Sequence, residues 1–171
     1  MTEVSEVTVV TVVTVVTAVT ESAEATRAMA AALVPLVRAG DVVLLVGDLG
    51  AGKTTFAQGF AAGLGVEGPV TSPTFALVRH YRTGAASPVT ALIHADVYRT
   101  GSLEEVTDLA LAELVEEDAV VVVEWGDVAA PALGESALVV TLVAPDALGA
   151  PERRDVTLEP RVRTSGRAAR A

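Results

Sequence analysis

The only lysine of this chain lies in a glycine-rich segment that constrains the fold around it. Residues 47–54 (the glycine loop) match the pattern G-x-x-x-x-G-K-[ST]. The remaining eleven of the twelve Lys and Arg residues are all arginines. In this pattern, backbone N–H groups and the lysine surround phosphates, and the hydroxyl that follows binds Mg²⁺. A compact ammonium group suits the position, because a guanidinium group is wider and favours two parallel hydrogen bonds. The segment therefore predicts a nucleotide-phosphate site.

The flanking sequence supplies the context that this pattern requires. Residues 41–46 are apolar and β-branched, as in a buried strand, and residues 54–64 have the composition of a helix. When a strand is followed by a glycine-rich loop and the N-terminus of a helix, backbone N–H groups lie where they can donate to a phosphate. The alternative is a glycine-rich turn that only connects two elements.

The composition limits the class of protein. A chain of 171 residues is long enough for one domain that buries about two-thirds of its unfolded surface. The absence of cysteine excludes disulfides and Cys-ligated zinc. We see no signal-peptide pattern and no run of ~18 apolar residues, and we therefore expect a cytoplasmic protein without a membrane segment.

The net charge of −10 is unevenly distributed along the chain. Residues 1–159 carry 22 acidic and 8 basic side chains, a balance of −14, whereas residues 160–171 carry four arginines and no acid. An acidic body opposes direct contact with nucleic acid phosphates. The basic tail either contacts RNA or an acidic partner, or is a disordered solubilising end, which is the interpretation we favour.

Three segments follow from these patterns. Residues 1–18 are a low-complexity Thr/Val extension, because their period of three matches neither a strand nor a helix, and their far end could add a strand. Residues 19–159 are the predicted nucleotide-binding domain, and residues 160–171 are the Arg-rich tail. Within the domain we predict an initial helix that continues to about Arg38, an antiparallel hairpin of strands 75–81 and 89–97, a helix over 103–117, and strands over 119–123, 138–143 and 155–158.

A metal site needs a partner for the Thr54 hydroxyl. Glu124 directly follows the apolar run of residues 119–123, so a buried strand would carry its carboxylate to the phosphates. The alternative is a polar strand end that faces solvent. Trp125 is the only tryptophan, and it belongs either to the core or to this site.

A second acid, Asp96, ends another extended run. Strand alternation places His94, Asp96 and Tyr98 on one face. Asp96 would either orient water or complete the outer shell of a metal, whereas a lone His94 is more often structural. The hydroxyls of Ser72 and Thr74 would serve either the γ-phosphate or a cap at the start of a strand.

These residues resemble a known family in their order and spacing. The resemblance is carried by residues 47–56, by Ser72, Pro73, Thr74 and Phe75, by residues 94–99, and by Glu124 with Trp125. Together they resemble the TsaE (YjeE) family, the P-loop ATPases of bacterial tRNA threonylcarbamoyladenosine biosynthesis. The resemblance covers about residues 20–158.

The resemblance implies a fold, cofactors and partners. The fold is an α/β, P-loop NTPase-type three-layer sandwich, with a mixed sheet that includes an antiparallel hairpin. The cofactors are ATP or ADP with Mg²⁺. The partners are TsaB and TsaD, which form the threonylcarbamoyl group on the adenosine next to the anticodon, so tRNA is reached only indirectly.

The resemblance also implies roles for individual residues. Asp96 and Glu124 would be catalytic, and Thr54 and Glu124 would bind the metal. Arg154 would approach the nucleotide, although the matching position could be Arg153. The implied nucleotide-binding residues are Thr26, Gly47, Asp48, Leu49, Gly50, Ala51, Gly52, Lys53, Thr54, Thr55, Thr74, Trp125 and Arg154.

Two other functions share the phosphate pattern. A small-molecule or nucleoside kinase needs an acceptor pocket and usually an arginine-rich lid, but no arginine lies between Glu124 and Arg153. A GTP-dependent switch needs N-K-x-D, but the chain has no asparagine and no second lysine. The sequence leaves open whether hydrolysis drives chemistry or resets a complex, and it leaves the oligomeric state open.

Overall fold

The computed structural model describes residues 14–73, 77–98, 118–133, 137–145 and 152–160. These ranges contain seven strands, three α-helices and one 3-10 turn. The strands are β1 Val16–Thr20, β2 Val42–Val46, β3 Val78–Arg82, β4 Ala91–Asp96, β5 Ala119–Glu124, β6 Leu138–Val143 and β7 Arg154–Pro160; the helices are α1 Ala23–Ala32, α2 Lys53–Gly63 and α3 Gly126–Leu133, and the 3-10 turn is Val34–Leu36.

The strands form one mixed sheet in the order β1-β7-β6-β2-β5-β4-β3. β2 lies between β5 and β6 and is parallel to both, and β4 is parallel to β5. β3 pairs antiparallel with β4, as the predicted hairpin requires, and β7 is antiparallel to both β6 and β1. The carboxyl ends of β2, β4 and β5 therefore meet at one edge of the sheet, where ligands bind in open α/β sheets.

Alternate residues of the central strands form two cores, one on each face of the sheet. Leu45 and Val122 pack with Phe56 of α2 on one face. Leu44 and Val123 pack with Ala129 of α3 on the other. Because β2 and β5 are apolar on both sides, they can be covered by helices on both sides. The predicted three-layer α/β sandwich with a mixed sheet is confirmed.

The first helix is shorter than predicted. Ser22 caps α1, because its side chain accepts a hydrogen bond from the Ala25 N–H at 3.0 Å. The α-helix ends at Ala32, and the chain continues as the 3-10 turn that contains Pro35. The prediction of one helix to about Arg38 was wrong, because proline has no N–H and disfavours the α conformation in the residue before it.

Several of the other predicted elements are confirmed, and some lie outside the described residues. The strands that lead to the glycine loop and to Glu124 are confirmed, as are the strands beginning near residues 138 and 155, whereas α3 was not predicted. The predicted domain boundary after residue 18 falls inside β1, and the division into three segments stays a prediction. The predicted helix 103–117 and the Arg-rich tail lie outside the described residues. Within those residues, no helix is long and apolar enough to cross a membrane.

Candidate functional site

The glycine loop joins the end of β2 to the start of α2. Gly50 and Gly52 have φ angles of 80° and 102°, which glycine adopts at little cost. Gly52 is the N-cap of α2, and it provides no side-chain cap. The first N–H groups of a helix lack intrahelical acceptors and carry the positive end of the helix dipole. The loop therefore presents backbone donors suited to an anion.

Lys53 folds back over the glycine loop. Its Nζ donates to the carbonyl oxygens of Gly47 at 2.7 Å and Asp48 at 2.8 Å. The same Nζ lies 3.7 Å from the centroid of the Trp125 ring, within the range of a cation–π contact. Burial lowers the pKa of Lys53 from 10.5, and the nearby Glu124 and Asp96 carboxylates oppose that shift. The ammonium group is thus held at the loop by weak acceptors that a phosphate could replace.

Thr54 and Glu124 meet although they are 70 residues apart in sequence. The Thr54 hydroxyl lies 3.0 Å from Oε1 and 2.9 Å from Oε2 of Glu124. β2 and β5 are adjacent and parallel, so the residue that ends β5 lies beside the helix that begins after β2. Because Glu124 is buried, its carboxylate faces the glycine loop rather than solvent. The alternative of a solvent-facing strand end does not describe this carboxylate.

Asp96 lies next to Glu124 on the same face of the sheet. The two residues are paired across the parallel strands β4 and β5, and both are buried. Asp96 Oδ2 accepts from the Ser72 hydroxyl at 2.7 Å, and Asp96 Oδ1 accepts from the Tyr98 N–H at 2.9 Å. The Ser72 hydroxyl thus contacts the second acid. Thr74, the other hydroxyl predicted for this loop, lies outside the described residues.

Trp125, the residue after Glu124, has an unusual backbone conformation. Trp125 has a φ of 62°, a conformation that is uncommon for a residue other than glycine. A side chain at the next residue, Gly126, would place its Cβ 2.6 Å from the Leu44 Cβ, so the turn is tightly packed. The Trp125 ring lies over Lys53, and its centroid is 4.6 Å from that of Tyr98. Trp125 therefore contacts both Lys53 and the tilted ring of Tyr98.

The structure distinguishes the two late arginines. Arg154 donates from Nε to the Ala51 carbonyl at 2.8 Å and from one terminal nitrogen to the Gly50 carbonyl at 3.2 Å. Arg153 instead pairs with Asp155 at 3.2 Å. Arg154 is therefore the one of the two that contacts the glycine loop, and its approach to a nucleotide stays a prediction.

The remaining predicted residues differ in their exposure. Thr26 is buried in α1, where its hydroxyl lies 2.8 Å from the Thr20 hydroxyl and donates to the Ser22 carbonyl at 3.1 Å. Thr55 is half-buried in the first turn of α2. Leu49 is exposed at the tip of the glycine loop.

The donor set at this edge suits a hard divalent cation. Thr54 and Glu124 offer oxygen atoms, which Mg²⁺ prefers, and Mg²⁺ usually takes few protein ligands and completes its octahedron with water and phosphate oxygens. Among the described residues, no group of three His, Cys, Asp or Glu side chains could hold a metal ion. A small protein donor set beside a phosphate loop therefore fits Mg²⁺ with a nucleotide better than a metal held by the protein alone.

An apolar groove lies at the opposite edge of the sheet. It has a volume of about 500 Å³, and its lining includes Leu33, Leu36, Val42, Phe60 and Leu138. Val42 and Leu138 begin β2 and β6, so the groove is at the far end of the strands from the glycine loop. Its lining includes Asp41 and Thr14 but no lysine or arginine that could bind a phosphate, and we do not assign it to the same site.

The structure places two further residues at the site, neither of which the sequence assigned to it. His94 lies 3.0 Å from Glu124 Oε1 through its Nε2 atom, although a structural role was favoured for it. Tyr98 stacks on Trp125, and it was given no role. The available signal was the predicted strand alternation through residues 94, 96 and 98, although Tyr98 lies beyond the end of β4.

The sequence and structure were compared with known proteins. The family model described as "Threonylcarbamoyl adenosine biosynthesis protein TsaE" matches residues 20–154. The Streptomyces coelicolor protein named tRNA threonylcarbamoyladenosine biosynthesis protein TsaE is 52% identical over 97 residues, which span 56% of this chain and 63% of that protein. The Bacillus subtilis protein of the same name is 45% identical over 97 residues, spanning 57% of this chain and 58% of that protein.

A solved structure agrees with this result. The crystal structure of Bacillus subtilis YdiB superposes with a TM-score of 0.67 at 31% sequence identity, and the match covers 88% of each chain. The matched family region begins at Thr20 and ends at Arg154, so it includes the glycine loop, Asp96 and Glu124. The chain belongs to the TsaE family.

Proposed function

We propose that the chain is a Mg²⁺-dependent ATPase that acts, together with TsaB and TsaD, in forming the threonylcarbamoyl group on the adenosine next to the anticodon of tRNAs. The observation that carries the ATPase part is the contact of the Thr54 hydroxyl with both carboxylate oxygens of Glu124, at 3.0 Å and 2.9 Å. It joins a phosphate-type loop to an acid that ends a buried strand. The biosynthetic part is supported by membership of the family.

Each side chain has a physical task in this proposal. Bound Mg²⁺ would neutralise phosphate charge and orient the β- and γ-phosphates. Thr54 and Glu124 would hold the cation, and Lys53 would exchange its two carbonyl partners for phosphate oxygens. Asp96 lies beside Glu124 and would accept a hydrogen bond from the attacking water.

The dependence on partners follows from charge. Residues 1–159 have a balance of −14, so tRNA phosphates would be repelled by most of this protein. Ser72, the donor to Asp96, lies in the segment before β3. Docking of TsaB and TsaD could reposition that segment and so change the rate of hydrolysis. We propose that tRNA is reached only through the complex.

The proposal is tested by measuring ATP hydrolysis by the full chain, with and without Mg²⁺. We expect slow turnover that requires Mg²⁺ and that is lost in the Lys53→Ala variant. A Mg²⁺-independent rate, or a parent rate equal to that of Lys53→Ala, would contradict the ATPase assignment. Phosphate transfer to an added nucleoside would favour a kinase instead.

A further inference from the structure

His94 lies in the deepest part of the site and contacts Glu124 directly. The histidine side chain is buried, and its Nε2 atom lies 3.0 Å from Glu124 Oε1. Among the described residues, two side chains are hydrogen-bonded to the Glu124 carboxylate, since Thr54 contacts it from the side of the glycine loop. Together these two contacts fix the plane of the carboxylate.

The environment of the ring defines which nitrogen carries the proton. Within the described chain, His94 Nδ1 is buried and has no hydrogen-bond partner. A carboxylate only accepts hydrogen bonds, so the proton must be on Nε2 to make the observed contact. Nε2 is therefore the donor in this contact, and Glu124 Oε1 is the acceptor.

This hydrogen bond opposes a local repulsion. Asp96 and Glu124 are paired across β4 and β5, and their side chains share a face of the sheet. Neighbouring strands are about 4.8 Å apart, so two carboxylates at this pairing repel each other. His94 is two residues before Asp96 on the same face of β4. Its Nε2–H donates to Glu124 Oε1 and so holds this oxygen in one position despite the repulsion.

We propose that His94 is a positioning residue for Glu124, which orients the carboxylate for Mg²⁺ by donating Nε2–H to Oε1. The inference rests on the proposed Mg²⁺-nucleotide function of the site. Thr54 contacts both oxygens, whereas the histidine contacts Oε1, so Oε2 is the oxygen that would be left to hold the cation. Hydrogen-bonded partners of metal-binding carboxylates generally affect metal affinity in this way.

Three variants of His94 separate a positional role from a packing role. His94→Gln places an amide donor near the position of Nε2, whereas His94→Asn places its donor nearer the backbone, at the position of Nδ1. His94→Leu fills similar space without a donor. ADP binding to the full chain is measured by calorimetry in EDTA and at a series of Mg²⁺ concentrations, and melting temperatures are measured without either ligand.

We expect the apparent dissociation constant for Mg²⁺ to rise about 10–100-fold in the Leu and Asn variants and to stay within about 3-fold of the parent in the Gln variant. ADP affinity in EDTA should stay within about 2-fold of the parent in all three variants, because His94 contacts the carboxylate rather than the glycine loop. If the Leu variant does not fold, the comparison of Gln with Asn gives the answer.

Three results would overturn the proposal for His94. The first is an unchanged Mg²⁺ affinity in the Asn and Leu variants. The second is a Gln variant as impaired as the Asn variant, and the third is a loss of ADP affinity in EDTA equal to the loss in Mg²⁺, because either of these would indicate packing alone. A parent protein whose ADP affinity does not respond to Mg²⁺ would instead contradict the proposed function itself.

Discussion

The ammonium group of Lys53 lies 3.7 Å from the centroid of the Trp125 ring while it donates to two carbonyl groups of the glycine loop. These contacts partly compensate for the burial of the only lysine in the chain. A phosphate offers stronger, charge-assisted hydrogen bonds than a carbonyl. The ammonium group therefore lies where the phosphate of a nucleotide could accept its hydrogen bonds.

The first prediction uses the single tryptophan as a reporter. Addition of ADP should change the emission of Trp125, because the Lys53 ammonium group moves from the ring face towards the phosphates. The measurement is a fluorescence titration with ADP. Lys53→Met is the control: it should alter the spectrum without nucleotide and should give little further change with ADP. Identical spectra for Lys53→Met and the parent would show that the cation is not on the ring in solution.

The second prediction concerns the head group at residue 53. Lys53→Ala should weaken nucleotide affinity by about 10–100-fold, because a hydrogen bond to a charged group is worth about 1.5–3 kcal/mol. Lys53→Arg should fail to restore turnover, because the guanidinium group is wider. Nucleotide binding and steady-state ATP hydrolysis measure the two effects, and circular dichroism checks the fold. An Arg variant with a parent-like rate would contradict the role of the lysine.

The third prediction separates the two neighbouring acids. Glu124→Gln should weaken nucleotide affinity in Mg²⁺ but not in EDTA, because one charge is lost beside Thr54. Asp96→Asn should bind nucleotide and hydrolyse it slowly. Binding titrations with and without Mg²⁺, together with rates, test both variants. If the two variants showed each other's expected phenotype, the roles of Glu124 and Asp96 would be exchanged. If neither variant changed affinity or rate, the assignment of this site would be wrong.

The fourth prediction concerns the contact between α1 and α2. At Gly59, an added Cβ would lie 2.3 Å from the Arg27 carbonyl oxygen and 2.4 Å from the Arg27 Cα. Although alanine favours a helix, the backbone clash requires the helices to separate, and we expect Gly59→Ala to cost about 2 kcal/mol net. That cost lowers the melting temperature by about 4–8 °C.

Gly68→Ala is the matched control for this substitution. Gly68 has a φ of 87° and nothing within 4 Å of an added Cβ, so only backbone strain of about 1–2 kcal/mol applies. A melting temperature of Gly59→Ala at or above that of the parent would mean that the two helices are farther apart than described.

The fifth prediction concerns activity in isolation. The purified chain should hydrolyse ATP slowly and bind free tRNA weakly or not at all, because its body is strongly acidic. Adding TsaB and TsaD together should clearly change the hydrolysis rate. Truncation after Pro160, the last residue of β7, is the control for the arginines of the tail. Tight, salt-sensitive tRNA binding by the chain alone would contradict this expectation.

Local sequence was sufficient for the glycine loop and the strands around it. Lys53 and Thr54 could be assigned from eight consecutive residues, because a phosphate loop is built from backbone donors and neighbouring side chains. The β-branched run before Glu124 predicted a buried strand for the same local reason. The sequence prediction extended α1 past Pro35. It also did not include α3, because the apolar face of α3 is defined by its packing on β2 and β5.

Tertiary structure alone decided which distant side chains meet. Glu124 reaches Thr54 because β5 is parallel and adjacent to β2, and it reaches His94 because β4 follows β5 in the sheet. Arg154, rather than Arg153, contacts the glycine loop because the alternation of β7 sends successive side chains to opposite faces. Sequence determined the chemical groups of the site, whereas strand order and register determined their distances, since hydrogen bonding between strands acts across residues far apart in the chain.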